Sequence, residues 1–506
     1  MITAQQGKAN CLSRWLWTMV GLTVLCYLAN TLLGALNQDE GWYLYAARQM
    51  MGGEIPHRDF FFTQGLLMPA VYACFGWLWS AAGIWGGRLF TAGLSIAALC
   101  IADRTLNRSL SKAEDKPLAR LMFWAFTGVN LWYTYFTAIP KTYGLCTLGI
   151  ALGLYLLTHR SASEVRLNSA CVAIAGVVFA ALVDVRVSMG ILLPTIGAWL
   201  FFYRRNVGSW AWMYFLLSAG VTLLALFLPE VLLWGEQFFE AQRFHAARES
   251  MGLVGMIGCV ARLMRFNPLL CVMSILIGWL WITGSLTTKS HSEGLPCFSQ
   301  LWLLCAGTLA GVHLLAPVPY DDYLIPAILP FAMAIALRCA DLPFDTLKPA
   351  FVKGAALATV ALTLCASPVA QDWVIAGQDR FWVKQKEKPD LFLLWEVADR
   401  LRQAAQRLQT DLIWTQDTYL AVEAGLRVPK GLEMGPFSKP QAIDASAKLA
   451  AWSGYTFALK YPVLTPDPEQ EAKLNALKAV YHHTLFTVPM FGQGGTSLVV
   501  AERIMP

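Results

Sequence analysis

The chain has 506 residues, of which 56% are hydrophobic and only 14% charged, with a mean hydropathy of +0.48. A soluble domain carries about a quarter charged residues, so most of this chain belongs in lipid. The net charge of +6 is spread over short basic clusters and makes no case for nucleic acid, while the twelve cysteines, none beyond Cys365 and none in paired spacing, read as small apolar residues rather than disulfides or metal ligands.

Lys8 and Arg14 stand before an apolar run from Trp15 to Leu36. The charge order is that of a signal sequence, but the run is long for a signal-peptide core and no A-x-A site closes it. It is expected to be an uncleaved first transmembrane helix that starts in the cytoplasm. Further apolar segments at roughly 87–105, 118–137, 141–158, 167–183, 187–203, 209–234, 264–285, 298–316, 323–340 and 350–370 bring the expected spans to eleven. Between the first two lies 66–86 (LLMPAVYACFGWLWSAAGIWG), which decides orientation, because one more crossing inverts everything after it. The positive-inside rule arbitrates. With eleven spans the cytoplasmic segments carry Arg104, Arg108, Lys112, Lys116, Arg120, Arg160, Arg166, Arg204, Arg205, Lys289, Arg338, Lys348 and Lys353, and the short external turns only Lys141 and Arg186. Segment 66–86 is therefore expected as a partly embedded helix on the outer side. Loop 37–86, the turns at Lys141 and Arg186, loop 235–263, turn 317–322 and tail 371–506 are then external.

In the tail the apolar runs shorten and charges return. Leu393, Leu394, Val397, Leu401, Ala405 and Leu408 recur at helical spacing, and DLIWT (411–415), YTFALK (455–460) and TSLVVAE (496–502) read as strands. The expected architecture is thus an all-α polytopic membrane module, 1–370, followed by a small periplasmic α/β domain, 371–506. No internal repeat is visible in the membrane part.

The polar residues at the outer face each admit two readings. Asp39 and Glu40 follow the first span directly. Asn37 and Glu40 have capping-box spacing, and acids at a helix start suit its dipole. Trp42, Tyr43 and Tyr45 surround the acids with interfacial aromatics, which suits a site for a lipid-linked substrate. His57-Arg58-Asp59 is either a solvated turn after Pro56 or part of that site. Arg186 either pairs with Asp184 to seal a tight turn or aims a guanidinium at a phosphate. Lys141 has the same two uses, with snorkelling the simpler. The segment EQFFEAQRFHAARES (236–250) is an amphipathic lid or a source of phosphate contacts from Arg243, His245 and Arg248. Tyr320, Asp321, Asp322 and Tyr323 crowd one helix mouth, where a cap explains a single Asp. His482-His483 has no partner cluster, and FGQGGT (491–496) leads into a strand and so is no dinucleotide loop.

An acidic pair opening the first external loop, an aromatic-rich helix after it and a P-x-R-D-F turn resemble the GT-C membrane glycosyltransferases. More narrowly they resemble the bacterial relatives of protein O-mannosyltransferases and of lipid A aminoarabinose transferases. The pieces that carry the likeness are Asp39-Glu40 with Tyr43, PHRDFFFTQG (56–65) and YLIPAILP (323–330), within roughly residues 15–330. The resemblance implies that Asp39 is the catalytic base and that a polyprenyl-phosphate sugar is bound from the outer face. Two departures stand out. Family members often have an acid or lysine followed by prolines where this chain reads Thr63-Gln64-Gly65-Leu66, and many have a basic residue where Asp322 precedes Tyr323.

The resulting expectation is an inverting glycosyltransferase, hexosyl- or pentosyl-transferring, of the bacterial inner membrane, acting on a periplasmic glycan, lipid or protein. Asp39 and Glu40 are the expected catalytic residues. Tyr43, His57, Arg58, Asp59, Lys141, Arg186, Arg243, His245, Arg248, Tyr320 and Tyr323 are expected around the substrates. No cofactor is required by this chemistry; a divalent metal is compatible with it, although no residue pattern supports one. A flippase or transporter of lipid-linked saccharides would place charges near the bilayer midplane and often repeat its halves. An O-antigen ligase or polymerase would lean on loop Arg and His residues instead of Asp39.

Overall fold

A computed structural model describes residues 2–110, 116–159, 166–246, 250–282, 298–339, 374–376, 383–385, 388–438, 447–453, 468–492 and 496–503. Helix α1 (Ile2–Leu33) is followed at once by α2 (Gln38–Met51), which a capping box starts: the Asn37 side chain accepts from the Asp39 N–H and Glu40 accepts from the Asn37 N–H. Segment 66–86 does not form one helix. It breaks into α3 (Leu67–Cys74), α4 (Gly76–Trp79) and a 3-10 turn, and Gly83, at φ +55°, opens α5 (Gly83–Ser109).

The expected span 118–137 is likewise two helices, α6 (Lys116–Phe126) and α7 (Leu131–Ala138), because the Asn130 side chain caps a new start by accepting from the N–H groups of Trp132 and Tyr133. α7 meets α8 (Thr142–Leu156) at 103°, with Pro140 and Lys141 in the break. Glycines let α8 lie close to its neighbour: Gly149 faces Leu182 and Gly153 faces Phe179, both on α9 (Ser169–Val185). A 3-10 turn leads into α10 (Leu192–Phe202), and α11 (Arg204–Val207) is short. α12 (Ala211–Ala246) contains Pro229 and bends at Trp234, whose φ/ψ is not helical. Asn267 and Pro268 break the next stretch into α13 (Gly252–Phe266) and α14 (Pro268–Ile282), 99° apart. α15 (Phe298–Leu314) and α16 (Ile325–Cys339) complete the described membrane part, and the expected span 350–370 lies outside the described residues.

Among the described residues, four helices are long and apolar enough to cross a membrane, or six if each bent pair is one span, with three shorter apolar helices beside them. Among the described residues several of the expected spans are thus broken or short rather than uninterrupted. Capping asparagines and prolines break the apolar runs, and hydropathy is blind to that. Along α12, Leu217, Val221, Leu224, Leu228 and Leu232 form an outward apolar stripe, each side chain at least 47% exposed. A stripe of this size is untenable in water and natural in lipid. The protein is a multi-pass membrane protein.

The tail contributes a two-stranded antiparallel sheet of β1 (Val374–Ala376) and β2 (Val383–Gln385), then an α/β unit. Its elements are α17 (Asp390–Arg407), β3 (Ile413–Trp414), α18 (Thr418–Ala424), β4 (Leu449–Ser453), α19 (Pro468–Val480), β5 (His483–Phe491) and β6 (Thr496–Glu502). The sheet order is β3-β4-β6-β5, with β3 parallel to β4 and the other pairs antiparallel. The expected strand at 496–502 is β6, DLIWT contains β3, and YTFALK lies outside the described residues. β4 and β5 were not expected. β4 is buried throughout and so shows no alternation, and β5 carries Pro489 on an edge strand with two register shifts.

This unit is tied to the membrane part. Asp390 accepts from the Leu36 N–H at 3.1 Å, Asp417 from Gln38 at 3.3 Å, and Glu423 from the Ile84 N–H at 2.8 Å. Arg48 donates to the carbonyls of Ala421 and Leu426, and Tyr45 accepts from the Val428 N–H. At Gly41 the approach is so close that a Cβ would collide with the Tyr419 backbone and the Thr418 hydroxyl.

Candidate active site

The capping box that starts α2 sets neighbouring carboxylates on different faces. Glu40 is fully buried and receives two bonds from Arg88 of α5, at 2.6 and 2.7 Å. Arg88 spends its remaining donors on the carbonyls of Thr31, Gly34 and Ala35, which closes the end of α1. Glu40 is thus enclosed by protein on every side. Asp39 faces outward, with its side chain 24% exposed. Its Oδ1 accepts from the Trp42 indole at 3.1 Å and its Oδ2 meets the Lys141 ammonium at 2.7 Å.

Lys141 does not snorkel. It is buried in the break between α7 and α8, and its ammonium bridges Asp39 and Asp322, each at 2.7 Å. Asp322 also accepts from the Tyr143 hydroxyl at 3.0 Å. Beside this bridge lies Arg186, whose guanidinium stands 4.6 Å from the ring centre of Tyr323 and 5.2 Å from that of Tyr143. Arg186 donates to the Thr142 hydroxyl at 3.3 Å, while its buried Nε has no hydrogen-bond partner. No ion pair with Asp184 forms, because Asp184 is turned toward the first loop and accepts from the Leu66 N–H at 3.1 Å. The turn-sealing pair is therefore absent. What remains is a half-buried cation set over the rings of Tyr143 and Tyr323, with Asp322 and His313 within its electrostatic reach. Tyr43 lies within the electrostatic reach of Asp39, Lys141, Arg186 and Tyr323, and burial pushes its phenol well above the usual range.

The roof over Asp39 is aromatic. Trp42 stacks on Tyr43 and takes Phe62 and Phe437 edge-on, the latter from the tail. Phe244, near the end of α12, packs edge-on against Phe437 at 5.7 Å and Phe61 at 6.3 Å. An apolar cavity of about 510 Å³ runs between Val183 and Val187, which flank Arg186 in the chain, and Leu223, Phe227, Val231 and Phe238 of α12.

The remaining expected residues divide. Tyr320 packs edge-on against Tyr323 and so borders the site. His57, at φ +67°, is buried and bonded to Glu230 of α12 at 3.0 Å and to the Phe62 carbonyl at 3.1 Å, so it anchors the first loop to that helix. Arg58 and Asp59 are the solvated turn: they pair with each other, which holds the Asp59 carboxyl below the usual range. Arg243 is exposed on α12. Arg248 and the side chain of His245 lie outside the described residues. Arg88 and Glu230 are the residues that sequence reasoning missed, while Trp42 and Asp322 were singled out there without a role at the site. For Arg88 a signal existed, since an arginine inside an apolar helix demands a buried acid. Asp322 was visible as one of the two acids crowding a helix mouth and as a departure from a family pattern, but its partner Lys141 was not. Among the described residues, no group of three His, Cys, Asp or Glu gathers to hold a metal.

No family model matches the chain, and no curated protein matches its sequence. Solved structures do match. ArnT from Cupriavidus metallidurans bound to undecaprenyl phosphate aligns with a TM-score of 0.59 at 13% identity, covering 96% of this chain and 98% of that one. The same protein in the apo state gives 0.58, also at 13% identity and with the same coverage of both chains. An oligosaccharyltransferase from Archaeoglobus fulgidus, in complex with Zn and sulfate, aligns at 0.45 and 15% identity over 93% of this chain and 72% of that one. The protein has the GT-C fold. The ArnT likeness extends through the tail, so the α/β unit is part of the shared architecture.

Proposed function

We propose that the protein is a glycosyltransferase that moves a sugar, with inversion, from a polyprenyl-phosphate donor to an acceptor hydroxyl at the outer face of the bacterial inner membrane. The observation that carries this reading is a partly exposed carboxylate, Asp39, near a half-buried cation, Arg186, that forms no ion pair with a carboxylate among the described residues. A donor with an isoprenoid tail remains in the bilayer while its phosphate sits at headgroup depth. A base that serves it must stand at that depth, directly after a membrane helix, as Asp39 does. ArnT, which shares the fold, has been crystallised with undecaprenyl phosphate, and the cavity beside Arg186 would give such a tail an apolar berth.

In the displacement, the acceptor oxygen attacks the anomeric carbon and its proton passes to Asp39. The bond from that carbon to the phosphate oxygen breaks, and the electron pair leaves with the phosphate. Arg186 meets the charge that develops there. Tyr43, Tyr320 and Tyr323 line the approach, and the Trp42, Phe437 and Phe244 rings exclude water from the carboxylate. Glu40 positions Asp39 by holding the start of α2 to Arg88. The scheme needs no cofactor, and the acceptor is a periplasmic glycan, lipid or protein.

The test uses purified full-length protein in nanodiscs, a panel of undecaprenyl-phosphate sugars and native cell-envelope extract as acceptor. Asp39→Asn should lower transfer by about 10²–10⁴, the scale of a lost general base, while undecaprenyl phosphate still binds. Wild-type transfer by Asp39→Asn would overturn the assignment. Movement of a lipid-linked sugar across vesicles without a new glycosidic bond would favour a flippase.

A further inference from the structure

Resting on the transfer reading above, we infer that Asp322 is a positioning residue for the reaction: by sharing the Lys141 ammonium it keeps Asp39 able to accept a proton. The two carboxylates hold the same Nζ at the same distance, 2.7 Å, but they are not equivalent. Each has a second donor, the Trp42 indole on Asp39 and the Tyr143 hydroxyl on Asp322, but the Asp39 side chain is 24% exposed and that of Asp322 12%. Asp39 is therefore the member that an acceptor can reach, and Asp322 the member that stays fixed.

The need for a second carboxylate follows from the charge changes of the reaction. A lysine whose sole partner was Asp39 would neutralise that carboxylate before the reaction and make it a poor base. Once Asp39 took the acceptor's proton, the same lysine would be left as a buried, unpaired cation, which is strongly unfavourable. Asp322 removes both difficulties. It draws part of the ammonium's field away from Asp39 at the start, and it remains as counter-ion when Asp39 becomes neutral. The negative charge that Asp39 gives up appears on the departing phosphate, next to Arg186, so the site as a whole keeps its charge through the step. The groups around Asp39 are Trp42 and Tyr43 on its own helix, Lys141 in the α7–α8 break, Tyr143 of α8, Arg186 after α9, and Asp322 and Tyr323 ahead of α16. His313 of α15 stands beside Arg186 and Asp322.

The decisive variant is Asp322→Asn, assayed as the full-length enzyme with whichever undecaprenyl-phosphate sugar the wild type turns over. It should keep the donor KM and lower kcat, by less than the roughly 10²–10⁴ of a lost general base. With the whole ammonium then on Asp39, the acid limb of the pH–rate profile should move to lower pH. Asp322→Glu should restore most of the rate. Tyr143→Phe gives an independent sign, because Asp322, freed of its second donor, would draw Lys141 more strongly and move the limb upward. It also serves if Asp322→Asn does not fold. A fall in rate with an unmoved limb and no rescue by Glu would make Asp322 merely structural, and a Tyr143→Phe limb that stays or falls would say the same. If Asp39→Asn is inactive while Asp322→Asn behaves as wild type, only this inference fails. If Asp39→Asn transfers normally, the reading beneath it fails as well.

Discussion

Two adjacent acids, Asp39 and Glu40, meet different fates because successive helix residues point about 100° apart. The capping box was legible from the spacing of Asn37 and Glu40, and the exposed carboxylate was legible beside it. The partner of Glu40 was not, since Arg88 lies on another helix. The same limit hid the Lys141–Asp322 bridge, whose members are 181 positions apart. Sequence proximity also misleads: Asp184 is two residues from Arg186 yet turns toward the Leu66 amide. These differences make separable predictions. Glu40→Ala removes the carboxylate that Arg88 holds in a fully buried ion pair and should cost about 3–5 kcal/mol of stability, read as a large drop in thermal midpoint in detergent. Asp39→Asn should leave that midpoint nearly unchanged, because Asn37 keeps the cap and Asp322 keeps Lys141 paired. Arg186→Ala should weaken undecaprenyl phosphate binding by roughly 10- to 150-fold, the equivalent of one charge-assisted bond of about 1.5–3 kcal/mol. Arg205→Ala, on an exposed basic turn, should leave binding alone, and equal effects from the two would remove Arg186 as the phosphate contact.

At the scale of elements, the site is made by breaks. Lys141 reaches two carboxylates only because Pro140 ends α7 and lets α8 leave at 103°. Arg186 is presented by the extended residue between α9 and a 3-10 turn, and Asp322 by the 3-10 turn before α16. Hydropathy located these segments and gave the helix of the tail, α17, from its apolar spacing. It merged α6 with α7, and it missed that 264–285 belongs to a bent pair starting at Gly252, because asparagine caps and prolines act over one or two residues. The docking of α18 on α2 was likewise invisible, although Gly41 makes it possible. Gly41→Ala would press a methyl group onto the Tyr419 backbone, and overpacking of that kind costs about 1–3 kcal/mol. The expected result is a lower thermal midpoint together with faster proteolysis of the tail. An unshifted midpoint would mean that the two helices separate freely.

For the whole molecule, sequence predicted an outer and an inner face from charge alone, and the fold supplies an independent reason to place the tail with the site. Asp390, Asp417 and Glu423 of the tail bond to Leu36, Gln38 and Ile84, all close to the start of α2 or α5. From Gly83 the helix α5 runs 27 residues, about 40 Å at 1.5 Å per residue, to Arg104 and Arg108. That length exceeds a hydrocarbon core of about 30 Å, so those arginines emerge on the opposite side from Asp39. On the positive-inside rule their side is the cytoplasmic one, and we propose on that basis that the tail and Asp39 face the periplasm. Cysteine labelling in a background without native cysteines tests both steps. Gln403, exposed on α17, and Gln300, exposed at the start of α15 beside Tyr203, are neutral positions suited to the probe. In intact spheroplasts a membrane-impermeant maleimide should modify Gln403→Cys at once, and Gln300→Cys only after the membrane is opened. Labelling of both without opening would contradict the crossing by α5. The reverse pattern would turn Asp39 toward the cytoplasm, and a periplasmic acceptor would be out of its reach.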